Sequence, residues 1–323
     1  MAKIHAFGTA LPAEKVRTST LEDRLGLATD SLGTGVGVLT RYVCSAEESQ
    51  ITLGVAAGQA ALDRAELRAG DIDLVIGASA VPYQPIPATA PAYMAGLGMV
   101  DGSAFAFDVN ATCLSFLNAL DVATALIDAG RYRRALIIAS EVASRALPWE
   151  AKPEVAALFG DGAAAAVVGP GAQTCVTRFA TYPSGYEICG IGAGGTRFDL
   201  RSEAEAFHAH SLFDMDGKAL FRLTTQHFGG FVDALLADAG WTAAEVDLVV
   251  PHQASPLALR HMIRHCGFAP EKVVDIVADY GNQIAASIPF AAATAQDRMV
   301  PGTKLLMLGT SAGVSFGGAA VLL

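Results

Sequence analysis

AGDIDLVIGAS, residues 69–79, runs from small residues through two aspartates, Asp71 and Asp73, into an unbroken apolar stretch that ends in small residues, the last of them Ser79. Apolar runs without alternation suit strands covered on both faces. The pattern returns as AAEVDLVVPHQAS at 243–255, with Asp73 and Asp247 lying 174 positions apart. RALIIAS and KLLMLGTS form a second pair, Ala135 and Leu305 being 170 apart. In each half a helical stretch precedes the first strand, and a turn of small residues follows the second. Two similar registers predict a duplicated α/β unit with its halves stacked about a pseudo-twofold axis. The boundary is expected near 169–185, where GPGAQT and TYPSG carry turn residues.

Further out, strands are predicted at 71–79, 103–109, 134–141, 247–253 and 304–311. Helices are predicted at 50–68, 85–97, 113–129, 217–240, 255–266 and 284–299. The alternation implies an α/β protein with a mostly parallel sheet. Hydrophobic residues make up 52% of the 323 and charged residues only 17%, so a large core is expected rather than disorder. The net charge of -10 argues against a nucleic-acid groove. No 18-residue apolar run and no signal-peptide pattern occur, so a cytoplasmic protein with no membrane span is expected. Five cysteines with wide spacing and no CxxC fit neither a disulfide framework nor a thiolate zinc site.

The duplication gives DVNATCLSF (108–116) its context. An offset of 170 carries Cys113 to about 283, beside Asn282 in DYGNQIAASIP, and His252 follows the strand matched to 71–79. The pseudosymmetry therefore draws Cys113, His252 and Asn282 towards one centre. A thiol, an imidazole and a carboxamide, distant in sequence and close in space, suit nucleophilic thiol catalysis. Cys113 is expected at the N-terminus of a buried helix, where the dipole and free N–H groups favour thiolate. Its own N–H can face an oxyanion. His252 and Asn282 offer two neutral donors for one enolate oxygen. In LGTSAGVSFGG (308–318), the backbone at Ser311, Ala312 and Gly313 can approach a reacting carbonyl. FGDGA (159–163) reads as a turn opening a core strand, structural rather than chemical.

Three motifs are set aside. GIGAGG (190–195) matches a dinucleotide fingerprint in letter, but no apolar strand precedes it and a charged segment follows. HMIRH (261–265) places two histidines on one helix face without a third ligand, and HAH (208–210) lacks one too, so no metal is expected. Arg131, Arg133 and Arg134, with Arg260 and Arg264 on the helix after His252, could receive a phosphopantetheine carrier or coenzyme A phosphates.

DVNATCLSF, PHQAS, GNQIAASIP and GTSAGVSFGG, together with GTALP, TRYV, FGDGA and MDGKALF, resemble the β-ketoacyl-[acyl-carrier-protein] synthase III family of the thiolase superfamily. The resemblance runs over nearly the whole chain in the right order. It implies a homodimer of five-layered αβαβα subunits, each built from a nucleophile-bearing half (1–170) and a second half (171–323) with the His and Asn. It implies no cofactor and a two-step reaction. An acyl-CoA or acyl-carrier-protein donor acylates Cys113. A malonyl thioester, malonyl-ACP or malonyl-CoA, then loses CO₂, and its enolate, held by His252 and Asn282, attacks the acyl-enzyme. The product could belong to a fatty-acid or polyketide pathway.

The sequence departs from the housekeeping pattern in ATDSLGTGVGV (28–38), which lacks the Trp and Arg that grip the coenzyme A adenine. HQAS stands for the family's HQAN. Ile86 stands where a family Phe caps the acyl pocket across the dimer. Three other readings use the same scaffold: condensation of two acyl thioesters without decarboxylation, acyl transfer to an oxygen or nitrogen nucleophile, and a non-catalytic dimer partner.

Overall fold

The computed structural model describes residues 1–323, the side chain of Thr34 excepted. Two principal sheets organise the described residues. The first holds β1 (Ala2–Ala10), β2 (Leu74–Gly77), β3 (Phe105–Asp108), β4 (Ala135–Glu141) and β5 (Gly162–Pro170) in the order β1-β5-β4-β2-β3. The second holds β6 (Thr174–Thr181), β7 (Leu248–Pro251), β8 (Lys304–Ser311) and β9 (Ser315–Leu322) in the order β7-β8-β9-β6. The chain passes from one sheet to the other at 171–173.

The sheets repeat one another strand for strand. Leu74 pairs with Ala135 and Leu248 with Leu305, both in parallel. The Asp73 carboxylate accepts the Arg133 and Arg134 N–H groups, and the Asp247 carboxylate accepts that of Lys304. The counterpart of β3 shrinks to a single parallel bridge between Val249 and Val273. Each sheet is mixed, which corrects the expectation of a mostly parallel one. β4 and β5, β1 and β5, β8 and β9, and β9 and β6 all run antiparallel. Only three residues separate β8 from β9, too few for the crossover a parallel pair needs.

Helices complete five layers. α1 (Gln50–Arg64) and α2 (Ala90–Gly96) cover the outer face of the first sheet. α3 (Ser115–Asp128) and α6 (Ser287–Thr294) lie between the sheets and touch both. α4 (Gly217–Ala239) covers the outer face of the second sheet with α5 (Pro256–Cys266) beside it. The central layer is apolar on both sides, with Leu117, Leu120, Ile288 and Ala291 in the largest core cluster. That is why the α3 and α6 sequences show no polar face.

Local chemistry sets the helix starts. Ser49 and Thr52 form a reciprocal cap on α1, and the Asp216 carboxylate accepts the Lys218 and Ala219 N–H groups on α4. Ser255, the departure from HQAN, accepts the Ala258 N–H at 3.1 Å and caps α5, with Pro256 in its first turn. No helix among the described residues is long and apolar enough to cross a membrane.

Candidate active site

The carboxyl ends of β4, β7 and β8, with the turns that enter α3 and α6, converge at one place between the halves. The two turns are copies. Asn110 Oδ1 accepts the Thr112 N–H at 2.9 Å, and Asn282 Oδ1 accepts the Ile284 N–H at 2.8 Å. Ser115 Oγ accepts the Ala111 N–H and Ser287 Oγ the Gln283 N–H, each at 3.0 Å. Thr112 and Ile284 both have φ of 50°. A β-branched residue in that region carries strain of about 1–3 kcal/mol, which the surrounding bonds must hold in place. The turn match pairs Asn110 with Asn282 and Cys113 with Ala285. The offset is 172, so the partner of Cys113 is Ala285 and not a residue near 283.

Cys113 sits in the single 3-10 turn Thr112–Leu114, and α3 itself begins at Ser115. The predicted helix over 113–129 is therefore shorter and starts after the thiol. The backbone N–H groups of Ala312 and of Cys113 itself lie close enough to the sulfur to favour its charged form. Burial outweighs both. Together with Glu141 and Cys189 it pushes the thiol up to about 12. The expectation of a thiolate at rest is thus overturned: the helix starts too late and the sulfur is too enclosed.

The turn after β8 supplies Ala312, as expected for Ser311, Ala312 and Gly313. Ser311 is buried, and Gly313 donates its N–H to the Cys189 sulfur. Consecutive amides of one turn therefore serve two thiols.

His252 follows β7, and its N–H donates to the Leu308 carbonyl of β8 at 2.7 Å. Burial alone holds its imidazole down to about 4, so it is neutral at physiological pH. Nδ1 has no hydrogen-bond partner among the described residues. Gly309 shows how closely these pieces approach. A Cβ there would lie 2.9 Å from the Leu114 side chain, 3.2 Å from His252 Cβ and 3.2 Å from Ile288 Cδ1. The Cys113 turn, His252 and the start of α6 thus meet across one glycine.

Asn282 is buried, and its Nδ2 donates to the Ala254 carbonyl at 3.3 Å, two residues past His252. One amide proton stays free for a ligand. Its backbone is clamped by FGDGA, with Gly160 N–H donating to the Asn282 carbonyl and Asn282 N–H to that of Leu158. Gly281 (φ 69°) lets the chain cross there, since a Cβ would lie 3.0 Å from the Leu158 carbonyl oxygen. FGDGA therefore shapes the site as well as opening β5. Glu141, buried at the end of β4, was not singled out from sequence; an acid closing an apolar strand was the available signal.

The other candidates lie apart. Ile86 is 87% exposed. Arg260 and Arg264 are exposed on α5 and form no ion pair among the described residues. Arg131, Arg133 and Arg134 sit before β4, at the end opposite Glu141, roughly 20 Å from the site at strand rise. They are too distant to greet a substrate there. His261 and His265 stack at 5.5 Å rather than forming a fully solvated face. With His252, Phe228 and Met262 they line a cavity of ≈ 70 Å³ between α4 and α5.

The His252 environment carries a stability prediction. Its folded value lies below the free value of 6.5, so its contribution is present above about 6.5 and lost as pH falls towards about 4. The native state then resists a proton that the unfolded chain takes up. Stability against urea is expected to fall over that window by up to ~3 kcal/mol through this group. His252→Gln should show a shallower acid decline than wild type; parallel declines would contradict the assignment.

Comparison with known proteins agrees with this geometry. The models for 3-oxoacyl-[acyl-carrier-protein (ACP)] synthase III and for its C-terminal portion match residues 107–183 and 236–323. A β-ketoacyl-[acyl-carrier-protein] synthase III of Neisseria meningitidis is 32% identical, covering 100% of this chain and 98% of its own. The synthase III 3 of Streptomyces coelicolor is 35% identical over 97% of this chain and 95% of its own. The solved 3-oxoacyl-[acyl-carrier-protein] synthase III of Aquifex aeolicus superimposes with a TM-score of 0.89 at 28% identity, over 100% of both chains. The five layers, the paired turns and the full-length likeness lead to one conclusion: this chain belongs to the β-ketoacyl-[acyl-carrier-protein] synthase III family of condensing enzymes, with the thiolase-like fold.

Proposed function

We propose that this condensing acyltransferase loads an acyl group from a thioester onto Cys113 and then joins it to the enolate of a decarboxylating malonyl thioester. The supporting observation is the convergence of one thiol and two uncharged donors, Cys113 and Asn282 from turns that the duplication makes equivalent and His252 from the end of β7. In the first step the Cys113 sulfur attacks the thioester carbonyl. The Cys113 and Ala312 N–H groups face the oxyanion, and the donor leaves as its thiol. In the second step His252 and Asn282 bind the malonyl thioester oxygen. The C–C bond to the carboxylate breaks, CO₂ departs, and the electron pair passes to the enolate. The enolate carbon attacks the acyl-enzyme and releases the Cys113 sulfur. Neutral donors suit this step, because a carboxylate there would oppose the developing charge.

In this reading the halves 1–170 and 171–323 are the duplicated units, and a homodimer brings Ile86 of one subunit to the acyl pocket of the other. The exposure of Ile86, with Val81 and Tyr83 nearby at 47% and 50%, supports an apolar loop that finds cover in a partner copy. Ile86 is smaller than Phe, so the pocket accepts chains longer than acetyl.

The donor is carrier-bound in this reading. The larger apolar side chains of residues 28–38 turn inward, Leu32, Val36 and Val38 being buried, and the segment presents no aromatic or basic side chain to a nucleotide. The Glu22 carboxylate accepts the N–H groups of Asp30, Leu32 and Gly33. Arg260 and Arg264, on the helix after His252, face an acidic carrier.

The test is intact-mass analysis after incubation with CoA and carrier-protein thioesters of graded chain length. Addition of longer acyl groups at Cys113, faster from the carrier, is the expected result. No adduct with any donor would overturn the function, and acetyl alone would overturn the role of Ile86. Arg260→Glu with Arg264→Glu should raise the KM for the carrier-bound donor and leave that for the CoA donor unchanged. Equal effects on both would contradict carrier docking.

A further inference from the structure

We propose that Glu141 is a positioning residue for acylation: its single carboxyl group ties the nucleophile side and the carboxamide side of the site together and keeps that region uncharged. The inference rests on Cys113 being the nucleophile. Glu141 is 1% exposed at the end of β4. It accepts the Ala80 N–H at 2.6 Å, and the backbone N–H groups of Val81 and Ala285 are also directed at it. Ala80 leads to the nucleophile turn. Its carbonyl accepts from Asn110 Nδ2 at 2.8 Å, and Asn110 Oδ1 holds the strained Thr112. Ala285 is the pseudosymmetric partner of Cys113 and directly follows Ile284, whose N–H bonds Asn282 Oδ1. Both strained turns are thus reached from one side chain.

The sheet register pairs Glu141 with Ser311, since Ala135 matches Leu305 six residues earlier in each strand. One half keeps a hydroxyl at this position and the other an acid, just as one turn keeps a thiol and the other a methyl. Burial raises the Glu141 carboxyl to about 8 despite its three N–H donors. The acid is therefore mostly neutral at pH 7 and ionises above about 8. The titratable groups that bear on it are Asp161, ahead of β5, Tyr93 of α2 and Cys113 itself. Ionised, it opposes loss of the Cys113 proton. Acylation should then stop gaining rate with pH above about 8, where an isolated thiol would go on reacting faster.

The experiment follows Cys113 acylation by intact mass from about pH 6 to pH 9.5, for the full chain and for Glu141→Gln and Glu141→Ala. Wild type is expected to stop gaining rate and level off above about pH 8, and Glu141→Gln, which cannot ionise, to keep rising through that range. Glu141→Ala leaves three N–H groups without an acceptor and should be slower at every pH, roughly tenfold or about 1.4 kcal/mol. The glutamine variant preserves the shape of the side chain, so the test survives if the alanine variant does not fold. A glutamine profile that still levels off above pH 8 as wild type does overturns the proposal while leaving the nucleophile assignment intact. No acylation of wild-type Cys113 at any pH overturns both.

Discussion

Cys113→Ala is expected to take up no acyl group from any thioester donor and to lose condensation, while still releasing some CO₂ from a malonyl thioester. The loss should approach the ~10⁶-fold drop seen when a hydrolase loses its nucleophile, because the other thiol nearby, Cys189, is buried and its thiol is pushed up by that burial. Residual decarboxylation is expected because the two donors come from other elements. His252 is fixed by β7 and β8, and Asn282 by its own turn and by FGDGA. Removing one sulfur disturbs neither. The fold should tolerate the change at a cost of about 1 kcal/mol, since Asn110 and Ser115 hold the turn rather than the thiol. Complete loss of CO₂ release with an intact fold would tie decarboxylation to the sulfur and contradict the division of labour.

Asn282→Asp should be the more instructive change at the second position. The Oδ1 atom of Asn282 bonds the Ile284 N–H and approaches the Ser287 hydroxyl, and an aspartate oxygen can keep both contacts. The free Nδ2 proton, by contrast, becomes a second acceptor, charged once the acid ionises. The variant keeps the turn and reverses the electrostatics towards an enolate oxygen. Loss of an oxyanion donor alone costs about 10²–10³ in rate. The aspartate should fall at least that far in malonyl decarboxylation, while acylation of Cys113 proceeds. A variant that loses acylation and decarboxylation equally would show that Asn282 acts on the architecture of the site rather than on the enolate.

Much of this was legible in the sequence because burial leaves a plain pattern. Strands covered on both faces read as unbroken apolar runs, so the cores of β2, β4, β7 and β8 were visible, and the repeated Asp73 and Asp247 marked the duplication. β8 was predicted to its ends. Antiparallel pairing was not visible, because β1 and β6 lack any strand motif that distinguishes them from their surroundings. Their places are set by long-range contacts with β5 and β9. The candidates Cys113, His252 and Asn282 could be singled out by residue type and by the duplication. Protonation was not legible. Whether a thiol ionises depends on enclosure by distant residues such as Glu141 and Cys189, and the helix dipole offered only one side of that balance. The same holds for Glu141. Its meaning comes from Ala80 and Ala285, which lie far from it in sequence.

The central claim is that a sulfur from one half and two neutral donors from the other act on one pair of substrates. It is tested most directly by supplying an acyl-carrier donor with malonyl thioester labelled at the free carboxyl carbon. Labelled CO₂ and β-ketoacyl product are then followed together, with mass spectrometry of Cys113 between the steps. The account predicts an acylated Cys113 that disappears as product and CO₂ form in equal amounts. Product that retains the labelled carboxyl, or that forms without passing through acyl-Cys113, would contradict it.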